Sequence, residues 1–412
     1  MRAYERLLKY VKIMSPSDEK STTVPSTPYL MEIAKVICED MKEMGIKDAR
    51  VSEYGYVYGS IPATEGYEDR VALGFISHMD TVADFADRPV NPRIVENYDG
   101  SDIVLGDSGR VIEVSKYPHL KGLIGKTIIT SDGNTILGSD DKAGVSIILT
   151  MAEEIMKGDM PHGKICIGFT PDEEIGRGPD YFDIKGFGAD FAFTVDGGKE
   201  NEVEYENFNA ATVILEAKGY SVHPGEAKDR MINAADAIAR CAAELPFDET
   251  PRTTEGRQGY FHLIGITGAV EEAQAVIIIR DHDLAKFEAK KTVVQEAADK
   301  INDFFGSEVI KVTVKDSYRN MMEIIKKNFH LIENAYKAVR MCGLEPESMP
   351  VRGGTDGATI SANGLPCPNL GMGGYAFHGP FEHCCVEGMD TSVEIVKNLI
   401  RIYSEKKPED FR

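Results

Sequence analysis

The sequence predicts an α/β protein, a helix-covered mixed sheet with a smaller α+β unit inserted into it. Three observations carry this. Apolar runs without alternation stand at 71–76, 165–169 and 191–195, the pattern of strands buried on both faces. Helical periodicity separates the first two. From about residue 208 the order becomes βαββαβ, a split, ferredoxin-like arrangement, and after about 320 helix and glycine-rich loops return. The predicted boundaries are 1–207 with 319–412 for the large domain and 208–318 for the insert. A chain of 412 residues is also longer than one core usually spans.

Each element has a local reason. Thr27-Pro28 reads as an N-cap followed by proline at the first helical position, and Leu30, Ile33, Val36, Ile37, Met41 and Met44 repeat at helical spacing up to Gly45. A second helix is predicted over 142–156. Between 85 and 137 short runs are broken by Asp99-Gly100, Asp107-Ser108-Gly109 and Asp132-Gly133. The last, between TIIT and NTIL, predicts a hairpin within β-rich decoration. In the insert, strands at 211–219, 260–270, 273–282 and 308–315 alternate with helices near 229–244 and 284–304.

Composition excludes several classes of function. Apolar residues at 42% and charged residues at 27% are an ordinary globular mix. A net charge of −21 with no local basic patch argues against nucleic acid and anionic membrane as partners. No apolar run nears the roughly 18 residues of a membrane span. The first twenty residues lack a signal core, so a cytoplasmic protein is expected. Seven cysteines without CxxC spacing read as reduced packing residues. The Cys384-Cys385 pair has no evident function.

Each of the three buried runs ends in residues able to hold metal: Ser77-His78-Met79-Asp80, Pro171-Asp172-Glu173-Glu174 and Asp196-Gly197-Gly198. In open α/β sheets, ligands bind outside the carboxyl ends of the strands. Asp140, just before a helix, and His378, in a late glycine-rich loop, add to the set. Taken singly, each has a plainer reading as a cap, a turn or a solvated loop. Their recurrence at three strand ends and a helix start sets them apart. Two histidines and three carboxylates suit two Zn2+ ions, with Co2+ or Mn2+ as substitutes. On this scheme Asp140 bridges, His78 and Asp196 complete one site, and Glu174 and His378 complete the other. Asp80, two residues after His78, is placed to fix its tautomer. Glu173 is left to move protons as general base.

The segments SHMDT (77–81), GSDDKAG (138–144), FTPDEEIGRG (169–178), FTVDGG (193–198), YENFNAA (205–211), HPG (223–225), RGGTDGA (352–358) and FHG (377–379) occur in an order that resembles one family. They are similar to the co-catalytic zinc aminopeptidases of the peptidase T kind. These are tripeptide aminopeptidases of the aminoacylase and zinc-carboxypeptidase superfamily. The resemblance runs over essentially the whole chain. It implies the same ligand set, hydrolysis of the N-terminal residue from short peptides with a free amine, and an insert that acts as lid and homodimer contact. It also implies that His223 reaches the substrate or the oxyanion. Arg280 and Arg352 become candidates for the peptide carboxylate, which guanidinium pairs through two hydrogen bonds. His383 competes with His378 as the late ligand, and the Phe-His-Gly context favours His378. The rival readings are a dipeptidase, carboxypeptidase or N-acyl amino acid deacylase with the same metals, and more remotely a non-catalytic metal- or peptide-binding protein.

Overall fold

The computed structural model describes residues 1–411. The chain divides into two compact units, Met1–Tyr205 with Glu323–Met349 and Thr355–Arg412, and Glu206–Met322 with Pro350–Gly354. The α/β class, with a mixed helix-covered sheet and an α+β insert, is the architecture observed.

The large unit is built on a seven-stranded sheet in the order Arg50–Val51, Val57–Ile61, Ile165–Thr170, Leu73–His78, Phe191–Gly197, Asn369–Gly371, Val203–Glu204. Its four middle strands are parallel and the outer pairings antiparallel. Register decides what meets at the carboxyl edge. His78 pairs with Thr170, and Ile76 pairs with Thr194, which brings Asp196 level with His78 one strand away.

Both faces of these strands are covered, which is why their sequences do not alternate. On one face Ile76, Cys166 and Ala192 pack with Phe182, Phe187 and Ile360. The Phe187 ring lies so close that a Cβ on Gly74 would meet its edge at 2.5 Å. The helix Ser139–Lys157 lies against Leu73–His78 and Phe191–Gly197, with Ala3–Tyr10 and Val386–Ser404 packed on it in turn.

The helix at Pro28–Glu43 starts at Thr27, and Gly45 follows it at φ 100°. The Thr27 hydroxyl, however, makes no cap bond and donates instead to Pro16 O at 2.8 Å. The hairpin expected at Asp132-Gly133 does not form. Ile128–Thr130 is a strand, but its two edges are taken by Arg93–Val95 and His383–Cys385. No edge remains for 134–137, and Ser131 closes the turn by accepting Gly133 N–H and donating to Thr135 O.

The smaller unit is a four-stranded antiparallel sheet, ordered Tyr260–Gly268, Glu272–Asp281, Asn209–Lys218, Ile310–Tyr318. Alternate residues Ala211, Val213, Leu215, Ile277 and Ile279 share one buried face with the helices Ala234–Ala243 and Leu284–Phe305. Side chains cap both helix starts: Asn233 accepts Asp236 N–H and Asp283 accepts Lys286 N–H. The segment Pro350–Gly354 also belongs here. Arg352 stacks over Phe208 and Tyr260 and donates to Gly256 O, Gln258 O and Thr254 Oγ1 at 2.8–2.9 Å. Among the described residues no helix is long and apolar enough to cross a membrane.

Candidate metal centre

The strand Leu73–His78 delivers His78, 2% exposed, to the carboxyl edge of the large sheet. Its two ring nitrogens face different partners. Nδ1 lies 3.1 Å from Asp80 O and 3.3 Å from Asp80 Oδ1, while Nε2 lies 3.0 Å from Asp140 Oδ1 and 3.5 Å from Asp196 Oδ1. Asp80 therefore addresses the distal nitrogen and leaves Nε2 turned toward the acids.

Asp140 precedes the regular part of the helix Ser139–Lys157, with non-helical φ/ψ at both Asp140 and Asp141. Its second oxygen, Oδ2, stands 3.1 Å from His378 Nε2. His378 Nε2 is also 3.1 Å from Glu174 Oε2. One carboxylate thus has one oxygen toward each imidazole. The turn after Ile165–Thr170 presents Glu173 and Glu174, and Asp80 shapes it by accepting Glu173 N–H at 3.0 Å and Glu174 N–H at 3.1 Å.

The electrostatics follow from crowded, buried acids. Burial pushes Glu173 well above the usual carboxyl range, and pushes Glu174 up to about 7 against the pull of His378. Burial raises Asp196 as well. It acts upward on Asp140 too, but there hydrogen bonds from His378 and His78 win and hold the carboxyl below its ordinary value. His378 is drawn up to about 10 by Asp140 and Glu174. Burial opposes charge on His78, yet Asp196, Asp140 and Asp80 together outweigh it. A pocket of acids that draws its own histidines toward the cationic form is one that favours positive charge.

The donor set fits divalent metal. The ligand atoms of His78, Asp140 and Glu174 lie within 4.8 Å of one another, as do those of His78, Asp141 and Asp196. Glu174 Oε1 is buried with no hydrogen-bond partner among the described residues. Such an atom is costly unless something binds it. Geometry alone would admit Asp141 as a ligand beside His78. Its oxygens, however, already accept Ser77 Oγ–H at 2.5 Å, His78 N–H at 3.2 Å and Gly144 N–H at 3.1 Å, so Asp140 is the better donor.

His383 lies elsewhere. Its Nδ1 donates to Phe381 O at 2.8 Å and its Nε2 stands 2.8 Å from His119 Nε2. The cysteines beside it are buried: Cys384 Sγ donates to Gly373 O, and Cys385 Sγ accepts Gly388 N–H at the start of a helix. The remaining candidates belong to the smaller unit. His223 is exposed, with Nδ1 accepting Gly225 N–H at 3.1 Å. Arg280 donates through Nη1 to Ile279 O and Ala211 O and stacks over Tyr318.

Asp356 and Glu382 are buried acids of the large unit that the sequence reading does not assign. Asp356 opens the helix Asp356–Ala362, accepts Thr170 Oγ–H at 2.5 Å and is pushed by burial up to about 7. Its sequence signal is an Asp at a helix start within the RGGTDGA segment. Glu382 had no signal beyond its neighbours.

A model of the peptidase dimerisation domain matches residues 205–307. The chain is 47% identical to peptidase T of Clostridium perfringens over 406 residues, covering 98% of this chain and 100% of that one. It is 47% identical to peptidase T of Clostridium acetobutylicum, covering 98% and 99%. Among solved structures it is similar to an aminopeptidase of Bacillus cereus, with TM-score 0.77 at 23% identity and 98% of each chain covered. A tripeptidase of Staphylococcus aureus gives 0.77 at 21%, again over 98% of each. The structural likenesses support the fold, and the sequence identity, held over nearly the full length, shows that the chain belongs to the peptidase T family.

Proposed function

We propose that this peptidase is a dizinc aminopeptidase that removes the N-terminal residue from tripeptides. The observation that carries this is the division of Asp140 between His78 and His378. His78, Asp140 and Asp196 would hold one Zn2+, and Asp140, Glu174 and His378 the other, with Co2+ or Mn2+ as substitutes. Bound there, the pair would supply an activated water and a Lewis acid for the scissile carbonyl.

The chain's own groups do the rest. Glu173, on the turn that Asp80 orients, takes the proton from the attacking water and returns it to the leaving amine. Asp80 keeps His78 in the tautomer with Nε2 free to bind metal. His223 serves the oxyanion. Arg280 is the better supported carboxylate anchor, since its hydrogen bonds use Nη1 alone. Arg352 already gives three of its five N–H groups to Gly256 O, Gln258 O and Thr254 Oγ1.

The unit at 206–322 is proposed as lid and homodimer contact, in keeping with its dimerisation-domain match. Free thiols throughout the described cysteines support a cytoplasmic setting. The test is product analysis by mass spectrometry on zinc-loaded protein. The substrates are a tripeptide, its N-acetyl form, and the dipeptide and tetrapeptide of the same series, each with and without chelator. Release of the first residue from the free tripeptide alone, abolished by chelator, is the expected result. Cleavage of the acetylated peptide would move the protein to the deacylase or carboxypeptidase chemistries, and no cleavage would leave only binding.

A further inference from the structure

The loop that delivers Asp140 is gripped by one side chain from far along the chain. Glu382 is 1% exposed. Its Oε2 accepts Leu137 N–H at 2.8 Å and Gly138 N–H at 2.7 Å. Its Oε1 accepts Ser139 Oγ–H at 2.7 Å and Asp140 N–H at 3.0 Å. Four donors from four consecutive residues converge on one carboxylate.

The local backbone explains the need. Gly138 sits at the N-cap with φ 75°, and no side chain at that position caps the helix behind it. Asp140 and Asp141 depart from helical dihedrals, so the N–H groups of this stretch have no partners within a helix. Glu382 supplies the missing acceptor from outside, and ionised acceptors make the stronger hydrogen bonds.

The same residue reaches the second ligand loop. Glu382 N–H donates to Gly379 O at 3.1 Å, one residue beyond His378. That loop holds Ala376 at φ 56° and His378 at φ 62°, left-handed conformations that non-glycine residues keep only when their surroundings impose them.

We infer that Glu382 is a positioning residue of the metal centre: it registers the 137–140 loop against the His378 loop, so that Asp140 meets both histidines. The inference rests on the two-metal reading above and goes beyond it by naming what holds the bridge in place. An amide at this position replaces one acceptor oxygen with a donor and sets it against N–H or O–H groups that already donate.

The experiment compares metal-free parent, Glu382→Gln and Ser139→Ala. Each is titrated with Co2+ and followed by calorimetry and visible absorption, with far-ultraviolet circular dichroism to monitor folding. The parent takes up two Co2+. Glu382→Gln binds at least one of them about 10- to 100-fold more weakly, the usual cost of losing an outer partner of a metal ligand, and its visible band changes. Ser139→Ala moves the same way by less. In tripeptide assays kcat falls while KM stays close to the parent's. Parent-like Co2+ affinities and spectrum in Glu382→Gln overturn the inference while leaving the metal reading intact. Should Glu382→Gln not fold, Ser139→Ala decides: unchanged Co2+ binding there overturns it. A parent that takes up no Co2+ overturns the metal reading, and this inference with it.

Discussion

Asp80 and Glu173 are joined by a hydrogen bond from the Glu173 backbone N–H to Asp80 Oδ1, 3.0 Å long. The other oxygen of Asp80 takes Glu174 N–H at 3.1 Å, and Oδ1 also lies 3.3 Å from His78 Nδ1. One buried carboxylate therefore orients a proposed metal ligand, the proposed base and a second ligand together. Asp80→Asn puts a donor where one of these contacts needs an acceptor. Turnover should fall about 10- to 100-fold with most of the metal retained. Steady-state kinetics with metal analysis checks this, and a variant at parental turnover would refute the orienting role.

Glu173 carries the proton in the proposed reaction, and its backbone rather than its carboxylate is what Asp80 holds. Glu173→Gln should keep the parental metal content and lower kcat by at least roughly 100-fold, the low end for losing a general base. Near-normal turnover would exclude it from that role.

The two late histidines can be separated directly. His378 faces Asp140 and Glu174, whereas His383 faces His119. His378→Ala should lose affinity for at least one metal and most activity. His383→Gln should bind both metals as the parent does. Equilibrium dialysis against Zn2+ reads the contrast, and equal metal loss in the two variants would contradict the assignment.

His383 also gives stability a pH dependence. Burial pulls its imidazole down to about 4, among His119, Tyr117 and Tyr375, with Phe381 O accepting from Nδ1. In the unfolded chain it titrates near its ordinary value of about 6.5. Above that pH both states are neutral and its contribution is fully present. As pH falls the unfolded chain takes the proton first, so stability drops until about pH 4, by at most about 3 kcal/mol. Parent and His383→Gln melted between pH 7 and 4 should diverge in slope, the parent losing more. Parallel curves would contradict this.

Gly144 sets how closely the helix behind Asp140 approaches the strand of Asp196. A Cβ there would stand 1.9 Å from Val195 O, a backbone atom that cannot turn aside. Gly144→Ala should cost about 1–3 kcal/mol, in the range of overpacked cores, and displace Asp140 relative to Asp196. A thermal melt and a zinc titration measure the two effects, and a parental melting temperature would show that the helix has room to move.

Much of this was legible in the sequence because the signals were local. The runs around Phe75, Ile167 and Phe193 are apolar throughout since both strand faces are covered, and the acids and His78 interrupt them where the strands end. The smaller unit was legible from its βαββαβ order, and within it Ala211, Val213 and Leu215 alternate onto one buried face. What escaped is held by partners distant in sequence. Asp132-Gly133 looks like a hairpin turn until the neighbours of Ile128–Thr130 are known. Arg352 looks like a free anchor until its three acceptors around Thr254, Gly256 and Gln258 are seen. Asp140 and Asp141 are indistinguishable as letters; Ser77, His78 N–H and Gly144 engage Asp141, while Asp140 faces His78 Nε2 and His378 Nε2. Three of the four donors to Glu382 are backbone N–H groups, which carry no residue identity, and the fourth is Ser139 Oγ–H.

The separation of Glu382 from the loop it grips has a consequence for how the protein comes into being on the ribosome. By the time Asp196 has been made, His78, Asp140, Glu174 and Asp196 are all present in the growing chain, together with the three parallel strands that align them. His378 and Glu382 follow almost two hundred residues later, after the whole smaller unit has been synthesised. Until then the 137–140 loop lacks its four-fold acceptor and Asp140 lacks the second of its two proposed histidine partners. On the proposed assignment, then, hydrolytic competence waits for His378, long after the first four ligands have been made.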